Sequence, residues 1–198
     1  MIELLVAVGA GLGLAAACGF RIFGPLLAAA ISARLGYLPL TPGFDWLATT
    51  PSIVALGTAA LLEVAAYTVP WLDHALDTIA TPTAVMAGIF ASVAVLVDLP
   101  PSLRWVVSVI GGGGVAGLVQ GASVLLRLKS TALTGGFANP LVAVFEAVGG
   151  IGLALLAIVL PLLALALVAA LLVVVFRGAG RIVFGRPAPP PSPSRFHV

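Results

Sequence analysis

Glu63 and Glu146 stand well inside apolar runs of this chain. An ionised group at the centre of a bilayer costs about 2.5–3.5 kcal/mol on insertion scales, so each needs a partner or a polar cavity. Together the two carboxylates could coordinate a cation or relay protons. The structural alternative is helix–helix hydrogen bonding, or pairing with Arg21. That arginine belongs to Gly19-Phe20-Arg21-Ile22-Phe23-Gly24-Pro25, which interrupts an apolar run. Its cation, next to a helix beginning at Pro25, could hold an anionic group, because helix N-termini present free N–H donors and partial positive charge. It could instead pair with Glu63 or Glu146, or mark the membrane edge.

Asp73, His74 and Asp77 form a third group. On a helix, residues four apart share a face, so both aspartates and the imidazole could bind a divalent cation. Carboxylates in a first helical turn also simply favour the helix dipole. A fourth place is Lys129-Ser130-Thr131 leading into Thr134-Gly135-Gly136-Phe137-Ala138-Asn139-Pro140. Small residues and the Asn139 amide there could line a polar site with open backbone, but no phosphate-loop pattern is present. His74 and His197 are the only histidines, so no nucleophile–base arrangement can be read. Cys18, the single cysteine, lies in an apolar run and is expected to be packing. No cofactor can be assigned from these residues.

These side chains must be positioned by long apolar segments, near 3–33, 51–69, 79–97, 103–126 and 139–176. The first and last would each reach roughly 50 Å as one helix, against a hydrocarbon core of about 30 Å, so both must be broken, tilted or doubled. Proline is favoured in the first turn of a helix. The interruptions therefore predict new helix starts at Pro25 and Pro140, with further interruptions at Gly149-Gly150 and Pro161. Both starts follow a Gly-Phe pair, a weak internal repeat that fits an inverted-repeat transporter with broken helices. Gly113, Gly117 and Gly121 recur every fourth residue, as do Gly9 and Gly13. Such faces let helices approach closely, inside the chain or across a homodimer. Residues 34–50 read as an interfacial loop, and Asp98-Leu99-Pro100-Pro101-Ser102 as a tight turn.

Composition sets the class. Of 198 residues, 61% are hydrophobic and only 8% charged, against about 25% charged in a soluble domain. The expected fold is all-α, a polytopic integral membrane protein of five or six transmembrane helices in a lipid bilayer. Residues 1–178 would form the transmembrane domain and 179–198 a basic, proline-rich disordered tail. The net charge of +2 is scattered over helix ends and tail, which argues against nucleic acid. Glu3 precedes the first apolar run without a basic region, so that helix is expected to be retained. Arg181, Arg186 and Arg195 favour a cytoplasmic C-terminus. Arg127 and Lys129 balance Arg34 and Arg104, so charge does not fix the side of the N-terminus.

Gly19-Phe20-Arg21…Pro25-Leu26, then Glu63 with Pro70, Asp73 and Asp77, then Ser130-Thr131…Gly135-Gly136-Phe137…Asn139-Pro140 with Glu146, resemble the bacterial membrane family called domain of unknown function 4126. The resemblance spans roughly 10–160. It departs at Ala147, where a second acidic residue is expected, and at Arg21, where a small polar residue is common. It implies a multi-pass protein of the bacterial cytoplasmic membrane and no particular activity. The residues point to a small transporter or channel for an ion or solute, using Arg21, Glu63, Asn139 and Glu146. The alternatives are a scaffold packing through its glycine faces, or an intramembrane lipid- or quinone-modifying enzyme supported only by Asp73, His74 and Asp77.

Overall fold

The computed structural model describes the backbone of residues 2–66 and 70–183, and the side chains of 2–66 and 79–177. Every regular element among the described residues is helical. In chain order they are α1 (Ile2–Phe20), α2 (Phe23–Arg34), a 3-10 turn (Asp45–Ala48), α3 (Thr50–Ala66) and α4 (Pro70–Val95). Then follow α5 (Pro101–Val107), a π-helical segment (Ser108–Gly113), α6 (Gly114–Thr134), α7 (Asn139–Val159) and α8 (Pro161–Val183). The apolar helices mark a membrane protein. Ile2–Phe20, Pro101–Thr134 and Asn139–Val159 are long and apolar enough to cross a bilayer, and the other apolar helices are shorter.

Residue size is sorted in the sense that lipid demands. The buried core is largely alanine and glycine with a few larger residues, while Leu61, Leu141, Phe145 and Val148 face outward. Lipid tails solvate large apolar side chains as well as a protein interior does, so close packing of small residues holds the helices together. Helix α1 is the axis. Its Gly11 packs on Ser92 and Leu96 while Ala15 meets Gly88, so α4 runs antiparallel to it. Contacts of Gly13 with Ala157 and of Ala17 with Gly150 make α7 antiparallel as well. Leu12 against Gly111 and Gly19 against Val119 set α6 parallel to α1, and Gly9 against Pro161 with Gly13 against Ala164 does the same for α8. The π-helical segment lets the backbone of α4 come close. Ser92 fills the space where a Cβ on Gly112 would stand, and its hydroxyl donates to Gly11 O at 3.0 Å.

The breaks are local. Helix α2 ends in a Schellman motif, in which Gly36 (φ 80°) and Tyr37 donate to Ala33 O and Ser32 O. The chain then docks on the end of α4. Thr41, fully buried, donates its N–H to Ala94 O and its hydroxyl to Val93 O, and Phe44 and Trp46 pack on Phe90. Arg104 donates to Leu96 O and Leu99 O, both at 2.9 Å, covering carbonyls of the turn that follows α4. Gly135 (φ 63°) stops α6 in the left-handed region.

Several sequence expectations need correction. Helix α2 starts at Phe23, not Pro25, for a reason that lies in Glu63. The 103–126 segment continues to Thr134, because Arg127 and its neighbours stay helical. Gly149-Gly150 does not interrupt α7. The chain breaks instead at Leu160, because the ring of Pro161 excludes a continuing helix. Helix α8 runs to Val183, past the expected tail boundary at 178, and residues 184–198 lie outside the described region. Finally, α1 and α6 run parallel, so the two Gly-Phe motifs turn the chain at the same end of the bundle. An inverted repeat would put them at opposite ends.

Candidate functional site

The site is built where α1 ends, α2 begins, α3 and α6 end, and α7 begins. Arg127 lies seven residues before the end of α6, and Glu146 seven after the start of α7. In an antiparallel hairpin those positions fall level, about 10 Å below the turn at 1.5 Å per residue. The Arg127 guanidinium meets the Glu146 carboxylate with both prongs. Its Nε donates to Oε1 at 3.2 Å, and Nη2 pairs with Oε2. Arg21, from the α1–α2 junction, brings its Nη2 to 3.5 Å from the same Oε2 and donates to Ala143 O at 3.1 Å. All three side chains are buried, at 4–5% exposure. Charge-assisted, forked pairing of this kind is the strong form of the interaction.

Polar residues continue from this cluster toward the hairpin turn. On α6, Gln120, Ser123, Arg127, Ser130 and Thr134 recur at alternating steps of three and four, which places them on one helix face. Gln120, Ser123 and Arg127 are buried. Opposite them, the Asn139 amide donates to Thr131 Oγ1 at 3.0 Å. Among the described residues, the Asn139 Oδ1 and Ser130 Oγ atoms are buried without a hydrogen-bond partner. Thr134 ties the turn by donating to Ser130 O and accepting from Ala138 N.

Glu63 does something different. Its Oε1 accepts from Ile22 N at 2.9 Å and its Oε2 from Phe23 N at 3.1 Å. The first N–H groups of a helix lack partners within it, and a side-chain oxygen beside them also meets the positive end of the dipole. No local side chain caps α2, so this carboxylate from α3 allows the helix to begin at Phe23. Among the described residues no ion-pair partner of Glu63 is present. Its carboxylate borders a cavity of about 410 Å³ whose other walls include Ile22, Phe23, Leu62, Ile79 and Thr83.

The structure thus brings together Arg21 and Glu146, and seats Glu63 on the backbone just after Arg21. Of the expected roles for Arg21, it takes pairing with Glu146. At the N-terminus of α2, the N–H groups of Ile22 and Phe23 already meet the chain's own Glu63 carboxylate. Asn139 lies on the same face of α7, nearer the turn. The backbone of Asp73, His74 and Asp77 lies in the first turns of α4, at this same end, and their side chains lie outside the described residues. Among the described residues no group of three or more His, Cys, Asp or Glu could hold a metal. Gly113 and Gly117 pack on Ile89 and Val85 of α4, whereas Gly121 faces open space. Sequence reading missed Arg127 by treating it as a loop charge. The signal was its place in the polar heptad with Gln120, Ser123 and Ser130.

The chain matches the family described as domain of unknown function (DUF4126) over residues 8–181, and it belongs to that family. No curated protein and no solved structure matches it.

Proposed function

We propose that this DUF4126 member is a small transporter or channel for an ion or small solute, spanning a bacterial cytoplasmic membrane five or six times with its C-terminus in the cytoplasm. One observation carries the reading. Arg21, Glu63, Arg127 and Glu146 converge from four parts of the chain at one end of an otherwise apolar bundle, where a helix is interrupted. Interrupted helices with ionisable groups beside them mark substrate paths in membrane proteins, because irregular backbone persists there only around a polar cavity or protein. Glu146, held by two arginines, ties the α6–α7 hairpin to the α1–α2 junction. Glu63, without a cationic side chain against it among the described residues, is the group that meets the transported species.

Flux into liposomes holding the purified protein tests this reading, with a panel of inorganic and organic ions. Glu63→Gln should abolish flux while the protein stays folded, and Glu146→Gln should reduce it with a loss of stability. Unchanged flux in both variants sinks the proposal. A second reading, a scaffold that binds other membrane helices, is favoured by the open space over Gly121 on α6 and over Gly149 and Gly152 on α7. It expects a co-purifying partner that Gly121→Leu removes.

A further inference from the structure

We propose that the cavity beside Glu63 binds an organic monocation with an apolar body. The proposal names the cargo class for the transport reading and rests on that reading for the word cargo; binding itself can be measured separately.

The two glutamates of this bundle end have opposite surroundings. Glu146 is neutralised by Arg127 and Arg21. Glu63 meets two backbone amides and, among the described residues, no cation. An ionised carboxylate has about four acceptor positions. Two are taken by Ile22 N and Phe23 N, so the rest remain for a ligand. The N-terminus of α2 offsets only about half a unit charge. What is left is a negative site in surroundings that penalise charge.

The walls decide which cation. Magnesium and calcium require about six or more oxygen ligands, some of which can be water. Among the described lining residues the cavity offers one carboxylate and one hydroxyl oxygen, that of Thr83, which donates its proton to Ile79 O at 2.6 Å and so leaves at most two side-chain groups to replace a hydration shell. A small inorganic ion would give up most of its hydration and receive little in return. An organic cation has little hydration to lose and covers Ile22, Phe23 and Leu62 with its own apolar groups. The cavity volume, about 410 Å³, lies in the range of small-molecule pockets, about 300–1,000 Å³. Two of its lining residues, Leu62 and Ile79, are 64% and 58% exposed on the outer face of the bundle. An amphiphilic cation dissolved in the bilayer can therefore reach the site laterally.

Equilibrium binding of tetraphenylphosphonium to the detergent-purified full chain tests this, with tetraphenylborate as a control of the same shape and opposite charge. The wild type should bind the phosphonium saturably and the borate not. Glu63→Gln should weaken phosphonium binding at least tenfold, about 1.4 kcal/mol. Ala59→Phe, which fills the cavity and keeps the carboxylate, should also remove it, so a misfolded glutamine variant would not leave the question open. Equal affinity in wild type and Glu63→Gln, or borate binding as tight as phosphonium, overturns the proposal. Phosphonium binding without flux would leave this site standing and refute transport. Flux of inorganic ions without phosphonium binding would do the reverse.

Discussion

Replacing Glu146 by glutamine removes the carboxylate that, among the described residues, Arg127 and Arg21 share, whereas Arg127→Met leaves Glu146 with Arg21. That asymmetry has a magnitude. Removing one partner of a buried ion pair costs about 3–5 kcal/mol, the range expected for Glu146→Gln. In Arg127→Met the Arg21 Nη2 stays 3.5 Å from Glu146 Oε2, a gross attraction of about 5 kcal/mol at an effective dielectric constant of 20. The carboxylate keeps a counter-charge, so the loss falls to that of charged hydrogen bonds, about 1.5–3 kcal/mol. The double variant has no Arg127–Glu146 bond left to lose, so its cost should stay close to that of Glu146→Gln alone. The resulting coupling energy is about 1.5–3 kcal/mol. Reversible unfolding in mixed micelles by titration with sodium dodecyl sulfate, followed by tryptophan fluorescence, measures all four proteins. Additivity within about 0.5 kcal/mol, the behaviour of independent sites, would refute the reasoning. So would a larger loss for Arg127→Met than for Glu146→Gln.

Four further outcomes are expected. Gly88→Ala puts a methyl into Ala116 and 2.9 Å from Gly112 O; overpacking of about 1–3 kcal/mol should outweigh the helix-propensity gain of up to about 1 kcal/mol. Gly121→Ala, with open space above it, should be neutral or stabilising in the same micelle titration. Thr41→Val removes the hydroxyl bonded to Val93 O and should cost about 1 kcal/mol, seen as faster deuterium exchange in the 37–49 connection. Arg104→Met uncovers Leu96 O and Leu99 O and should cost up to about 2 kcal/mol, since basic groups at a helix C-terminus contribute no more than that. Exchange at the 95–99 turn reads the loss.

Local chemistry was legible in the sequence. Pro161 marks the start of a new helix and Asn139-Pro140 begins another, so both boundaries of α7 can be read from a few residues. The start of α2 could not, because the acceptors for Ile22 N and Phe23 N come from Glu63, forty residues along the chain. Arg127 was obscured because an apolar window ends wherever a charge appears, and nothing in the window says that a carboxylate on the next helix will meet that charge. Its polar neighbours at heptad spacing were visible, and only their shared face makes them one feature. The parallel run of α1 and α6 was likewise hidden, since short motifs carry no sense of direction.

The position of α1 sets a constraint on assembly. This helix is sheathed by α4, α6, α7 and α8, all of which follow it in the chain. At a synthesis rate of about 5–20 residues per second, α8 emerges roughly 8–30 s after α1. Through that interval the groove around Gly9 and Gly13, which later receives Pro161 and Ala164, faces lipid or the insertion machinery. The bundle closes around a helix made before the four that sheathe it, so a ribosome stalled before Pro161 leaves the groove at Gly9 and Gly13 without the helix that fills it.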